Sequence, residues 1–167
     1  MKLLSPDPKG EFLFEVSEYV IQALHRITRA RDAQLDAAMA PMGLNVTRYR
    51  TLIAVVRAVN CTMSDLAALI GYDRTTLARA VETLVADGLI RRSTVQADRR
   101  YVELSATPEG EALYRRTIPE AERLNDRLFE GIPDDQLRAV MRGLETMLGN
   151  LGAGPADIAK SLGPRWT

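Results

Sequence analysis

Cysteine and histidine are nearly absent: Cys61 is the one cysteine and His25 the one histidine in 167 residues. A single thiol cannot close a disulfide within the chain or build a cysteine-rich zinc site, and a single imidazole rules out a multi-histidine centre. No metal and no cofactor are expected, and the cysteine usage suits a reducing compartment. Long apolar runs are missing too. The longest, Leu52 to Val56 and Leu66 to Ile70, are five residues each, against the roughly 18 that a spanning helix needs. Pro6, Asp7, Pro8 and Gly10 deny the N-terminus the apolar centre of a secretion signal, so the expected location is cytoplasmic, with no membrane partner. There is no glycine-rich phosphate loop, nucleophile elbow or His-x-x-x-His pair. The acid pairs Asp134 with Asp135 and Glu120 with Glu122 fall on helix starts or exposed helical faces. No catalytic set remains, and no enzymatic activity is expected.

Charge of either sign is not in excess, since 22 basic residues balance 22 acidic ones. Only the distribution of charge can therefore reveal a polyanionic partner. Nineteen of the basic residues are arginine, whose planar fork suits bidentate contacts to phosphate and guanine. At 46% hydrophobic and 26% charged, the chain has the composition of a folded protein and the length for one sizeable core, or for two small subdomains that share one.

Apolar residues dominate the reading of the elements. Phe12, Val16, Val20, Ala23, Leu24, Ile27, Leu35, Ala38 and Met39 recur at three- and four-residue steps, which predicts one long amphipathic helix from Glu11 to Met42, ended by Pro41 and Gly43. Asn45 or Thr47 can cap a second helix, with Leu52, Ile53, Val55, Val56 and Val59 inward. Thr62, with Asp65 three positions on, forms a capping box for a short third helix that stops at Gly71. Asp73 caps a fourth, with Leu77, Val81, Leu84 and Val85 inward and Gly88 at its end.

The period then changes. Leu89 to Val95 and Arg100 to Ala106 read as extended segments, with Val102, Leu104 and Ala106 on one face and Gln96, Ala97, Asp98 and Arg99 as an exposed tip. Thr107 followed by Pro108 starts a fifth helix, broken by Gly131 and Pro133. The sixth carries Leu137, Val140, Met141, Leu144, Met147, Leu148 and Leu151, close to a heptad repeat.

A short capped helix, a glycine-containing turn and a second helix with a polar outer face define a helix-turn-helix. The pieces are Ser64 to Ile70, Gly71 to Asp73, and Arg74 to Asp87. With Leu77, Val81 and Leu84 inward, the residues Arg74, Thr75, Thr76, Ala78, Arg79, Glu82 and Thr83 face outward. Small and hydrogen-bonding side chains at a helix N-terminus are what entry into a DNA major groove requires, and free amides there favour a phosphate. Any exposed helix can carry such residues, so the hairpin matters: Arg91, Arg92, Arg99 and Arg100 concentrate basic charge on one ribbon of a neutral chain. Such a ribbon can enter a minor groove. The competing reading of Arg91 and Arg92 is surface ion pairing with Asp87 or Glu103.

The stretch from Met63 to Gly110, MSDLAALIGYDRTTLARAVETLVADGLIRRSTVQADRRYVELSATPEG, resembles the winged-helix core of the MarR (multiple-antibiotic-resistance regulator) family. LAALIGYDRTTLARAVETLVADGLI matches the two helices, and DRR followed by ELSATPEG matches the wing and the entry to the next helix. The expected fold is mainly α with a small β-hairpin wing: a winged helix-turn-helix core, residues 47–106, between dimerisation helices over 11–46 and 107–151, with an irregular tail over 152–167. The resemblance implies a homodimeric, sequence-specific transcriptional regulator, usually a repressor, that binds an inverted-repeat operator in double-stranded DNA and is released by a small aromatic or phenolic anion or by oxidation. In the family's D-x-R wing motif the arginine enters the minor groove and the aspartate holds it, roles that fall on Arg100 and Asp98. The recognition positions fall on Arg74, Thr75, Thr76 and Arg79.

The family's effector cleft lies between the first two helices, the fifth and the DNA-binding core. His25, Arg29, Arg48 and Tyr49 are the residues that suit an aromatic carboxylate there; against each stands the reading that it is solvated, or paired with a nearby acid. Cys61 lies between the second and third helices, whereas peroxide-sensing relatives use a cysteine near the start of the first helix, where this chain has Phe12, Leu13 and Phe14. Cys61 reads better as a small buried hydrophobe. The alternative from another class is a dimeric ligand-binding or scaffold protein whose winged helix no longer binds DNA; Arg79, Asp98 and Arg100 speak against it.

Overall fold

The computed structural model describes residues 11–58, 60–95 and 98–152, with side chains characterised over 16–58, 60–93 and 102–152. Six α-helices and a three-stranded antiparallel sheet run in the order α1 (Glu11–Met39), α2 (Val46–Ala58), β1 (Cys61–Thr62), α3 (Met63–Ile70), α4 (Arg74–Ala86), β2 (Ile90–Val95), β3 (Asp98–Ala106), α5 (Pro108–Phe129) and α6 (Asp134–Asn150). This is the expected mainly α winged helix. The expectation for the tail falls outside the described residues, apart from its first position.

Local chemistry sets the boundaries. The first helix tightens into a 3-10 turn over Ala40–Met42, because Pro41 has no amide to continue the α ladder. Gly43 closes that turn at φ 73°, a conformation that costs a β-carbon-bearing residue more. Asn45, not Thr47, caps α2: its Oδ1 accepts from the Arg48 amide at 2.8 Å, while Asp36 of α1 accepts from the Val46 amide at 2.8 Å. Thr62 and Asp65 form the expected reciprocal box, with Asp65 N donating to Thr62 Oγ1 at 3.2 Å and Thr62 N donating to Asp65 Oδ2 at 2.9 Å.

The core gathers around α2 and α4. Leu35 and Met39 of α1, Leu52 and Val55 of α2, Leu66 of α3, Leu77, Val81 and Leu84 of α4, Ile90 of β2 and Leu104 of β3 are all essentially fully buried. Cys61 is buried with them, and burial pushes its thiol above the ordinary value. Helix α6 contributes no buried residue.

The sheet differs from its sequence reading in three ways. Asp98 and Arg99, expected in the exposed tip, already belong to β3, which pairs from Val95 with Asp98 onward. Cys61 and Thr62 form a third strand, pairing with Leu104 and Glu103 and placing β3 between β1 and β2. Two residues are too few to display a period of two. Ser105, expected outside, is only 9% exposed, whereas Val102, expected inside, is 39% exposed. β3 packs against α2, α3 and α5, and burial along it rises from Val102 to Leu104 and Ser105, so position along the strand outweighs the alternation of faces.

A latch at the root of the hairpin fixes the wing to α5. Thr107 Oγ1 donates to the Gly88 carbonyl at 2.7 Å and accepts from the Gly110 amide at 3.0 Å, and the Thr107 amide donates to Leu89 O at 3.1 Å. The approach is so close that a β-carbon on Gly110 would lie 2.0 Å from that Leu89 oxygen.

Candidate nucleic-acid interface

Helix α4 owes its start to Asp73, whose Oδ1 accepts from the amides of Thr75 at 3.0 Å and Thr76 at 2.9 Å while Oδ2 accepts from Thr76 Oγ1 at 2.6 Å. Donation from the Thr76 hydroxyl and amide holds the Asp73 carboxyl below its ordinary range. Two of the free amides that favour a phosphate at this helix end are therefore already occupied, and the Thr76 hydroxyl is turned back to the cap. Arg74, Thr75 and Arg79 remain exposed, as do Glu82 and Thr83, while Leu77, Ala80, Val81 and Leu84 are buried. The exposed face thus offers two guanidinium groups and a hydroxyl, which can donate to base edges or phosphate oxygens.

Both ends of this helix are tied back to α2 by arginines. At the C-terminal end Arg48 pairs with Asp87, the residue after α4, and donates to the Gly43 carbonyl at 2.7 Å. At the N-terminal end Arg50 donates to the Tyr72 hydroxyl at 3.0 Å and to Asp32 of α1 at 2.5 Å. The suggestion that Asp87 pairs with Arg91 or Arg92 is thereby corrected: among the described residues the ion-pair partner of Asp87 is Arg48.

On the wing, β2 and β3 pair from Ile90 with Ala106 to Val95 with Asp98, with a register irregularity between Thr94 and Val95. Arg91 and Arg92 are exposed, and Arg91 Nε donates to Ser105 Oγ at 2.8 Å. Successive residues on a strand point to opposite faces, so these two arginines serve different sides of the ribbon. The backbone of Asp98, Arg99 and Arg100 lies in β3, while their side chains fall outside those characterised.

Four residues were singled out for an effector. His25 and Arg29 are exposed on α1. Arg48 is engaged by Asp87 and Gly43. Tyr49 is buried, and burial raises its phenol above the ordinary value, with the Arg31 guanidinium opposing this in part. The surroundings of Tyr49 are residues that the sequence reading missed. Arg57 donates to the Tyr114 hydroxyl at 3.3 Å and lies 5.9 Å from its ring centre, and Arg31 donates to Asn125 of α5 at 3.2 Å. One signal pointed this way: Asp32 precedes Leu35 and Met39 at helical spacing, which places a charge on an otherwise buried stripe.

A capped recognition helix, its supporting helix and a β-ribbon latched beside it define a winged helix-turn-helix, the architecture of DNA-binding transcriptional regulators. Comparison with known proteins makes this specific. Residues 42–100 match the model of the MarR family. A MarR-family transcriptional regulator of Silicibacter pomeroyi is 32% identical, with a TM-score of 0.68, over 79% of this chain and 89% of that one. Bordetella bronchiseptica BpsR, solved in a study of how 6-hydroxynicotinic acid regulates its DNA binding, is 26% identical with a TM-score of 0.70, over 77% of this chain and 98% of its own. The HTH-type transcriptional regulator YwhA of Bacillus subtilis is 26% identical over 108 residues, 65% of this chain and 78% of its own. The chain belongs to the MarR family of transcriptional regulators.

Proposed function

We propose that the chain is a homodimeric repressor that binds an inverted-repeat operator in double-stranded DNA and is released by a small aromatic or phenolic anion. The observation that carries this reading is the exposed face of α4, where Arg74, Thr75 and Arg79 stand free of the core beside a ribbon bearing Arg91 and Arg92. Arg74, Thr75, Thr76 and Arg79 address the major groove, Thr76 chiefly by holding the cap. Arg91, Arg92 and Arg99 meet phosphates, and Arg100, steadied by Asp98, enters the minor groove. Residues 47–106 form the reading head, while 11–46 and 107–151 join two copies. Support for the dimer comes from α6, where Val140, Met141, Met147 and Leu151 are exposed although they form one apolar stripe.

The effector reading centres on Tyr49, with His25 and Arg29 of α1 and Arg48 of α2 nearest in sequence logic, and with Arg31, Arg57 and Tyr114 supplying cations and a second ring. BpsR, whose DNA binding is regulated by 6-hydroxynicotinic acid, supports an aromatic anion as the ligand class. The protein acts in the cytoplasm and catalyses no reaction.

The test is selection of bound fragments from the source genome, followed by titration of the recovered duplex against salt. Two half-sites about 10 base pairs apart centre to centre are expected, with affinity falling steeply as salt rises because neutralised phosphates release counterions. An asymmetric site, or binding indifferent to salt, would overturn the reading.

A further inference from the structure

The recognition helix makes its main contacts with α2, α3 and β2, so those elements are the main route by which a change in the arm helices can reach it. One polar chain runs the whole distance. Asn125 of α5 accepts from Arg31 of α1 at 3.2 Å, the neighbouring Asp32 accepts from Arg50 of α2 at 2.5 Å, and Arg50 donates its other terminal nitrogen to the Tyr72 hydroxyl at 3.0 Å. Tyr72 immediately precedes Asp73, the residue whose carboxylate starts α4.

We propose that Arg50 is a positioning residue, whose fork sets the angle of the recognition helix against the arm by gripping Asp32 and Tyr72 together. Three properties fit it for this. Its two acceptors are 18 and 22 residues away in sequence and belong to different elements, and a planar guanidinium can satisfy both at fixed geometry where an ammonium cannot. The Arg50 and Asp32 side chains keep only 31% and 26% of their surface, so water competes less than at a surface ion pair. Any shift of the Tyr72 ring is passed through one peptide bond to the cap of α4. In a dimer held by its arms, this angle sets the distance between two recognition helices, and so the half-site spacing that is read. The inference rests on the DNA-binding reading above.

The test compares the full-length wild type with Tyr72→Phe, which removes one oxygen and keeps the ring, and Arg50→Lys, which keeps the charge but not the fork. Hydrogen exchange of the DNA-free protein is the first readout. The amides of Thr75, Thr76 and Leu77, all bonded to Asp73, should exchange about tenfold faster in both variants, the size carried by one lost hydrogen bond to a charged group. The amides of Leu52 and Leu84 should not change. Binding is the second readout, using a duplex selected by the wild type from a random pool and the same duplex with one base pair inserted between half-sites. Wild type should reject the insertion, and the variants should discriminate about tenfold less while binding random duplex as before. Unchanged exchange at those three amides, faster exchange throughout the core, or full retention of spacing discrimination would each overturn the proposal. A wild type that selects no sequence would instead remove the DNA-binding reading, and the exchange result would still decide whether Arg50 holds the helix.

Discussion

Leu84 of α4 and Val140 of α6 both sit on regular apolar stripes, yet the first is fully buried and the second is 55% exposed. Leu84 is enclosed by the common core, whereas Val140 lies on a helix that contributes no buried residue among the described residues. An amphipathic pattern says that a face is apolar and is silent on what covers it. The head thus encloses its own stripe together with Leu35 and Met39 of α1, whereas the exposed stripe of α6 is the face that the proposed dimer would cover.

The largest expected effect tests the head. Leu84→Ala should lower unfolding free energy by about 2–5 kcal/mol through lost burial and a residual cavity, equally at low and high protein concentration. Urea unfolding at two concentrations checks this, and a concentration-dependent loss would place Leu84 in a shared core instead. The arm should behave in the opposite way. If α6 joins two copies as proposed, Val140→Arg puts an unpaired charge into that interface at a cost of about 3 kcal/mol, so sedimentation should show dimer giving way to monomer while the head keeps its near-ultraviolet circular dichroism.

Gly110→Ala probes the junction of the two regions. Its β-carbon would meet the Leu89 carbonyl, and forcing the wing root off α5 should cost about 1–3 kcal/mol in thermal or urea unfolding. A fully stable variant would mean that the latch yields freely.

The wing supplies a comparison within the head. Arg100→Ala should weaken operator binding by about 1–3 kcal/mol and flatten preference for A·T-rich flanks. Asp98→Ala should weaken it in part, although removing an acid would otherwise strengthen attraction to DNA. Tighter binding by the Asp98 variant, in a titration at one fixed salt concentration, would show that the aspartate does not position the arginine.

The smallest effect concerns acid. Hydrogen bonds from Thr62 and Thr76 hold Asp65 and Asp73 below their ordinary 3.8. The folded state thus prefers the ionised caps, and their contribution is complete above 3.8 and lost as pH falls through the lower folded values. Asp73→Asn, which can still cap, should lose less stability over that acidic range than wild type in urea midpoints measured by circular dichroism.

The sequence by itself determined what lies within reach of a single turn. Thr62 with Asp65, Asp73, Thr107 with Pro108, and the glycines at 43 and 71 announce helix ends because capping groups act on amides two or three residues away. The outward face of α4 followed from helical periodicity, and the residues from Met63 to Gly110 carried the family. Arg48 illustrates what stayed hidden: it read as a cation for a ligand or as the partner of an unidentified acid, and that acid, Asp87, lies 39 residues further along. The same holds for Arg50 with Asp32 and Tyr72, for the two-residue strand at Cys61, and for the burial of Ser105. Those features depend on which surfaces meet after the helices have formed. Periodicity and capping are properties of neighbouring residues, whereas a fork shared between two elements exists only once packing has brought both of them to α2.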